Sequence, residues 1–270
     1  MRMEPMLLLK FSGEQLDIRS IPIYELGETL MAMQRIVHKT YLFENNRLKK
    51  HAQLTQEERM RLSLQISERR KSSDVYALIP FLADPSTQEY LGTLLKIGLG
   101  SLAKYAWQMV LGEKTKKKTT STSVRTRDVD GSLLVGAIYG EVVQITNHIY
   151  NIGGIDKIEL ISTPSLEIDP IELTGETQKY VRNIANATYL GPEDEIIGEV
   201  HRLLPNRLVA EIKLEPARIV KVRMDDEAFQ FVRYKTKPNQ ALRIRGRPVV
   251  TLGKDVSTFR EFEAHAVVPN

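Results

Sequence analysis

Residues 196–268 constrain the fold more than any other part of this chain of 270 residues. Five stretches there alternate apolar and polar side chains, which is typical of strands with one buried face. They are residues 196–204, 208–214, 219–224, 242–251 and 259–268. Between the third and the fourth, Asp225 is a good helix cap, and the two acids after it suit the first turn of a helix that reaches about Tyr234. The sequence therefore predicts three strands, a helix and two strands that close on a core of their own.

This order of elements resembles that of the OB-fold family, and the resemblance implies a five-stranded β-barrel. An SH3-like or a Greek-key barrel fits the same alternation and stays open. In an OB fold the face around the second and third strands usually carries the ligand, and Lys213, Lys221 and Arg223 would supply positive charge there. These two strands contain no Phe, Tyr or Trp on which the bases of a single strand would stack. The predicted contact is therefore to backbone phosphate, with weak sequence preference.

Three arginines of the fourth strand are a second candidate for phosphate contact. Arg243, Arg245 and Arg247 alternate with apolar residues and glycine, so they share one side of the strand. Side chains on one side are about 6.6 Å apart, which is close to the phosphate repeat of an extended nucleic-acid strand. The alternative is a solvated outer face on which these arginines pair with acids of the next strand, Glu261 and Glu263.

Charge and composition permit an anionic partner without requiring one. The net charge is +4, and residues 196–270 carry fourteen lysines and arginines against nine acids, so the rest of the chain is close to neutral. The absence of cysteine excludes disulfides, thiolate metal sites and cysteine nucleophiles. The five histidines have neither metal-ligand spacing nor a nucleophile pattern beside them, and no phosphate-binding glycine loop occurs. We therefore predict no cofactor, no metal and no catalytic residues.

The strongest enzymatic alternative is a metal-dependent nuclease. Pro-Glu-Asp at 192–194, followed by Glu-Ile-Lys at 211–213, loosely resembles the Pro-Asp and Glu-x-Lys pattern of restriction-type nucleases. If residues 205–207 form the hairpin loop, Glu199 lies opposite Lys213, and His201 lies opposite Glu211. Asp194 then lies five residues from Glu199, about 16 Å away, which is too far to share a metal with Glu211. Ordinary cross-strand charge pairs explain these residues better.

The remainder of the chain, residues 1–191, predicts an α+β domain with β-hairpins and long helices. A stripe of mainly apolar residues at three- and four-residue steps, from Ile23 to Tyr41, predicts a long helix with that stripe toward the core. The predicted hairpins are 6–11 with 15–19 and 62–68 with 75–79, and the predicted helices include 23–43, 133–150 and 177–187. We place the boundary with the barrel domain, residues 192–270, late in a polar and turn-rich stretch.

Residues 91–111 are the most apolar segment and predict a helix that is buried nearly all round. Its polar and small residues form a narrow stripe at every fourth position, namely Gly92, Lys96, Gly100, Lys104 and Gln108. A membrane span is not expected, because each central lysine would cost about 2.5–3.5 kcal/mol on insertion. The helix is interpreted as a core helix, as a contact between copies in an oligomer, or as a membrane-associated effector segment.

Residues 113–130 are rich in Lys, Thr and Ser and predict a mobile basic loop. Its cations could contact phosphates, or they could simply keep the loop solvated. At the start of the chain, the apolar run before Lys10 is too short for the core of a signal peptide, so we predict a cytoplasmic protein.

The N-terminal half contains Leu-Lys-Phe-Ser-Gly at 9–13 and Ile-Pro-Ile-Tyr-Glu-Leu-Gly-Glu-Thr-Leu at 21–30. It is similar to uncharacterised bacterial and phage-associated proteins that combine an α+β domain and an apolar helix with a small terminal barrel. The resemblance implies a phage-defence or mobile-element context and no assigned activity. Together, these observations predict a non-enzymatic binding or assembly protein that contacts DNA, RNA or a protein partner and self-associates.

Overall fold

The structure is a computed structural model, and it describes most of the chain. The described residues are 7–14, 16, 21–48, 52–70, 74–80, 90–91, 93–94, 97–98, 100, 129–150, 154–162, 170–215, 218–236, 240–252, 254 and 258–269. They belong to two compact units, of which the first comprises Met1–Thr122 with Ala137–Ala185 and the second Ser123–Gly136 with Asn186–Asn270. The boundary predicted between residues 191 and 192 lies a few residues after Ala185.

The first unit contains an antiparallel sheet of five strands in the order β2-β3-β1-β4-β5. The strands are β1 (Leu7–Ser12), β2 (Leu64–Arg70), β3 (Asp74–Pro80), β4 (Lys157–Ser162) and β5 (Ile171–Thr174). The hairpin of β2 with β3 is confirmed. Of the predicted hairpin of residues 6–11 with 15–19, residues 6, 15 and 17–19 lie outside the described residues. β1 does not have the predicted partner at either edge, because β3 and β4 pair with it on its two sides.

Within the described residues, five helices with defined bounds accompany the strands. They are α1 (Ile23–Glu44), α2 (Gln56–Arg61), α3 (Val129–Asn147), α4 (Gly175–Asn183) and α5 (Asp226–Lys235). The predicted loop 113–130 lies outside the described residues up to 128, and its last two residues already belong to α3. Of the predicted helix 91–111, the described residues up to Gly100 are helical, and residues 101–111 lie outside them.

The long helix α1 is confirmed, and the face that it buries matches the predicted stripe only in part: Met33 and Val37 of that stripe are buried. Ile23 is 88% exposed, whereas Glu25, Thr29 and Thr40 are buried together with apolar residues such as Ile36. The buried face therefore includes polar residues that a search for apolar periodicity assigns to solvent.

The second unit contains a closed barrel of five strands, so the predicted α+β class with a C-terminal barrel is confirmed. The strands are β7 (Asp194–Leu204), β8 (Val209–Leu214), β9 (Arg218–Arg223), β10 (Ala241–Thr251) and β11 (Glu261–Pro269). Their order is β11-β9-β8-β7-β10, and pairing of β10 with β11 closes the ring. α5 connects β9 to β10, as the predicted order of elements requires. β11 runs parallel to β9. A short strand, β6 (Thr188–Leu190), pairs with the end of β10.

The interior of the barrel explains why its strands alternate in character. Val220, Val222, Leu242, Ile244 and Phe262 are fully buried, while their neighbours along the strands point outward. At Gly198 and Gly246 the adjacent strand approaches so closely that an added Cβ would lie within 3.0 Å of its main chain. Asp225 caps α5, because its side chain accepts a hydrogen bond from the N–H of Ala228 at 2.8 Å.

One detail of the predicted register is wrong. Glu199 lies opposite Lys213 as expected, but Glu211 lies opposite Arg202, because β7 has a bulge between Val200 and Arg202. His201 occupies the bulge. An extra residue on one strand shifts every later pair by one, and no local pattern in the sequence marks where it is inserted.

Over the residues that the structure describes, no helix is both long and apolar enough to cross a membrane.

Candidate functional site

Strands β8 and β9 present three of the predicted site residues on the outside of the barrel. The side chains of Lys221 and Arg223 are exposed because they alternate with Val220 and Val222, which fill the core. Lys213 is exposed on β8 next to them. We refer to Lys213, Lys221 and Arg223 as the β8–β9 cations.

Acidic residues neighbour these cations across the strands without forming ion pairs with them. Lys221 lies between Glu211 of β8 and Glu261 of β11, and Lys213 lies opposite Glu199. Among the described residues, no carboxylate oxygen lies within 4.0 Å of the side-chain nitrogens of the β8–β9 cations. The acids weaken the positive potential of this face, but the three cations stay available to a ligand.

The three arginines of β10, which we call the arginine row, share the outer side of their strand as predicted. Arg243 and Arg245 both pair with Glu195 of β7, through contacts of 3.5 Å and 2.8 Å from their Nε atoms to its two carboxylate oxygens. The sequence suggested Glu261 and Glu263 as partners instead. β7 supplies the partner because residues 241–246 of β10 pair with it, which places Glu195 directly opposite Arg245.

Arg247 differs from the other two members of the arginine row. It lies opposite Glu263 of β11, which in turn lies opposite Arg223 of β9, so Glu263 has a guanidinium-bearing residue on each side. One terminal nitrogen of Arg247, Nη1, is buried and has no hydrogen-bond partner among the described residues. Arg247 thus connects the arginine row to the β8–β9 cations through Glu263, while Arg243 and Arg245 lie on the β7 side.

The aromatic residues of the second unit mostly belong to its core. Phe229, Phe259 and Phe262 are buried, and the guanidinium of Arg218 lies 4.3 Å from the ring centre of Phe259. Tyr234 is 69% exposed at the end of α5, with Arg233 at 4.9 Å from its ring, and Phe231 is half-buried. The β8–β9 face therefore has no stacking platform among its own residues, as the sequence indicated.

The residues of the nuclease pattern lie apart. Glu211 lies opposite Arg202, which is eight residues from Asp194 along β7, or about 26 Å of extended strand. Within the described part of the chain, no group of three His, Asp or Glu side chains could hold a metal ion. His148 is buried in the first unit, where its Nε2 lies 3.3 Å from a carboxylate oxygen of Glu28.

Two cations that the sequence did not single out also lie on the barrel. Lys254 and Arg260 belong to the connection between β10 and β11 and line a pocket there. They were counted in the excess of positive charge. Arg260 falls within the predicted strand 259–268, but β11 begins only at Glu261. A connecting segment has no periodicity from which the direction of a side chain could be predicted.

Comparisons with protein-family models, with curated proteins and with solved structures find no match to this chain.

Proposed function

We propose that this protein is a non-enzymatic binding protein whose barrel contacts the phosphate backbone of DNA or RNA. The observation that carries the proposal is the set of β8–β9 cations, which are exposed on one face and have no carboxylate partner within ion-pairing distance among the described residues. The arginine row is a secondary contact, because Glu195 already neutralises part of its charge.

The chemistry of the face favours backbone contact over base recognition. Lysine and arginine side chains neutralise phosphates and release counterions, which gives affinity that depends on salt and little on sequence. A face without exposed aromatic residues lacks the stacking energy of about 1–3 kcal/mol per base on which single-strand binders rely. We therefore expect the protein to bind both single-stranded and double-stranded nucleic acid, with little dependence of the affinity on sequence in either case.

The test is the salt dependence of oligonucleotide binding by the full chain. Fluorescence anisotropy with labelled single-stranded DNA, duplex DNA and RNA should show affinity that falls as salt rises from 50 to 200 mM. Replacing Lys213, Lys221 and Arg223 with alanine should reduce the slope for duplex DNA by up to about 0.9 per lost phosphate contact.

The matched control removes three exposed cations of the first unit, Arg35, Arg59 and Lys179, and so causes the same loss of charge. That variant should bind nearly as the unmodified protein does. Equal losses in the two variants would mean that only net charge matters, and the β8–β9 cations would be rejected as the site. Cleavage of nucleic acid in magnesium or manganese that Glu211→Ala abolishes would replace the proposal with the nuclease alternative.

Self-association and the phage-defence or mobile-element setting belong to the same proposal as expectations from the sequence. In the first unit, Leu91 and Leu94 are fully buried, which favours a core position for the start of the segment 91–111. Sedimentation of the full chain at several concentrations tests self-association directly, and a concentration-independent monomer would reject it.

A further inference from the structure

A pocket of about 210 Å³ lies in the second unit where β10 ends and β11 begins. Its walls combine the end of β10, the residues before β11 and Thr188 of β6. The polar side chains in the wall are mainly hydrogen-bond donors or cations, namely Thr188, Thr251, Thr258, Lys254 and Arg260.

The two cations each make a main-chain hydrogen bond, and their side chains have no ion pair within the described part of the chain. The N–H of Lys254 donates to the carbonyl oxygen of Thr251 at 3.1 Å, and the carbonyl oxygen of Arg260 accepts from the N–H of Lys221 at 2.9 Å. Among the described residues, neither side chain has an ion pair, and both residues are exposed. Nothing in the described fold therefore uses their charge.

One acid, Glu261, also contributes to the wall. It lies opposite Lys221 in the pairing of β11 with β9, so a third cation borders the same place. The pocket lining carries two cations and one carboxylate, and the neighbouring Lys221 also lies opposite a second acid, Glu211. On either count the balance is one positive charge, which favours an anionic ligand.

The volume decides the size of that ligand. Sites for whole drug-sized ligands occupy roughly 300–1,000 Å³, so this pocket suits a single small group. An arginine, a lysine and several hydroxyl groups are the donors that proteins use for phosphate.

We infer that this pocket binds a phosphate group. The origin of this phosphate rests on the proposed function. If the barrel binds a nucleic-acid backbone, the group is the terminal phosphate of a strand whose backbone continues over the β8–β9 cations. Lys221 connects the pocket with the β8–β9 cations, because its side chain belongs to those cations and its N–H donates a hydrogen bond to the carbonyl oxygen of Arg260.

The first experiment titrates the full chain with inorganic phosphate in a calorimeter, at an ionic strength held constant with chloride. Replacing both Lys254 and Arg260 with alanine should weaken phosphate binding by about tenfold or more, because each removes a hydrogen bond to a charged group. The matched control replaces Arg207 and Lys235, two exposed cations of the barrel that do not line the pocket. It should keep the affinity of the unmodified protein. No phosphate binding, or equal losses in the two double variants, would overturn the inference.

The second experiment identifies the source of the phosphate with oligonucleotides of one sequence that carry a 5′-phosphate, a 3′-phosphate or neither. One terminal phosphate should raise the affinity about tenfold in the unmodified protein, since a hydrogen bond to a charged group is worth about that much. The advantage should vanish in the Lys254→Ala/Arg260→Ala variant and persist in its control.

The outcomes separate the two proposals. If all three oligonucleotides bind equally and inorganic phosphate does not bind, the pocket is overturned while backbone binding by the β8–β9 cations stands. If inorganic phosphate binds and no oligonucleotide does, the proposed function fails, and the phosphate site takes a small phosphoester instead.

Discussion

Glu195 controls how much of the charge of the arginine row reaches a ligand. It contacts Arg243 and Arg245 from the outside of the barrel, where all three side chains are partly solvated. Such a pair is worth about 0–1 kcal/mol, so a phosphate can compete with the carboxylate at moderate cost.

We therefore expect Glu195→Gln to bind oligonucleotides up to about fivefold more tightly than the unmodified protein, because the arginines lose a competing partner worth no more than about 1 kcal/mol. Anisotropy at low salt measures the change. Glu193→Gln is the control, since it removes one exposed acid that has no ion pair among the described residues. Identical affinities in the two variants would exclude the arginine row from the contact.

Glu58 ties together the region that follows α1. Its carboxylate accepts from Arg47, from the hydroxyl of Tyr41 at 3.0 Å and from the N–H of Thr55 at 2.8 Å. The bond from Arg47 is the main cause that lowers the pKa of Glu58 from 4.5 to about 2. Because the folded pKa lies below the unfolded one, the stabilisation is complete above about pH 4.5 and is lost as the pH falls toward 2.

The prediction is that Glu58→Gln lowers the melting temperature at pH 7 and that its difference from the unmodified protein shrinks between pH 4.5 and pH 2. Melting curves recorded by circular dichroism across this range test it. Glu57→Gln, which changes the exposed neighbouring acid, should show no such convergence. If the difference in melting temperature between Glu58→Gln and the unmodified protein stayed constant with pH, the charged carboxylate of Glu58 would not be the source of the stabilisation.

At the scale of elements, the helical residue Gly98 fits closely against α1. A Cβ at Gly98 would lie 2.8 Å from Cγ2 of Ile36 and 2.8 Å from Oγ1 of Thr40. Both are atoms of β-branched side chains, which have little freedom to move inside a helix. At Gly100, by contrast, nothing lies within 4 Å of an added Cβ among the described residues.

We expect Gly98→Ala to lower the free energy of unfolding by about 1–3 kcal/mol through overpacking. Gly100→Ala should raise it by roughly 0.5–1 kcal/mol, because alanine favours the helix over glycine. Urea denaturation of the two variants, which carry the same substitution at different positions, measures both free energies of unfolding. Equal stabilities would show that the helix does not approach α1 this closely.

At the scale of the whole molecule, the closed barrel predicts that residues 192–270 fold without the rest of the chain. Every strand of the ring finds both of its neighbours within this range, and α5 contributes the buried Phe229 and Val232. A protein of residues 186–270 adds β6, which pairs with Val249, Val250 and Thr251.

Dispersed amide spectra are expected for both fragments, and hydrogen exchange at Val249–Thr251 should be slower in the longer one. The difference in exchange rate between the two fragments measures how much β6 stabilises the end of β10. Unfolded-like spectra for both would show that the barrel depends on the remainder of the chain.

The sequence by itself determined the order of elements and their inward faces in the barrel. Alternation places Val220 and Val222 inside and Lys221 and Arg223 outside, whatever the partners of the strand are, because the direction of side chains in a strand repeats every two residues. The cap at Asp225 is equally local, since its hydrogen bond spans three residues.

Only the tertiary structure decided which residues meet across strands and helices. Glu195 rather than Glu263 pairs with Arg245, because β10 lies between two strands and the sequence does not say which one offers an acid in register. Tertiary contacts also decided three other features, namely the bulge at His201, the central position of β1 and the burial of Glu25 in α1. Pairing and burial depend on residues far apart in the chain, whereas periodicity reports only on neighbours, so the candidate phosphate pocket around Lys254 and Arg260 emerged from the fold alone.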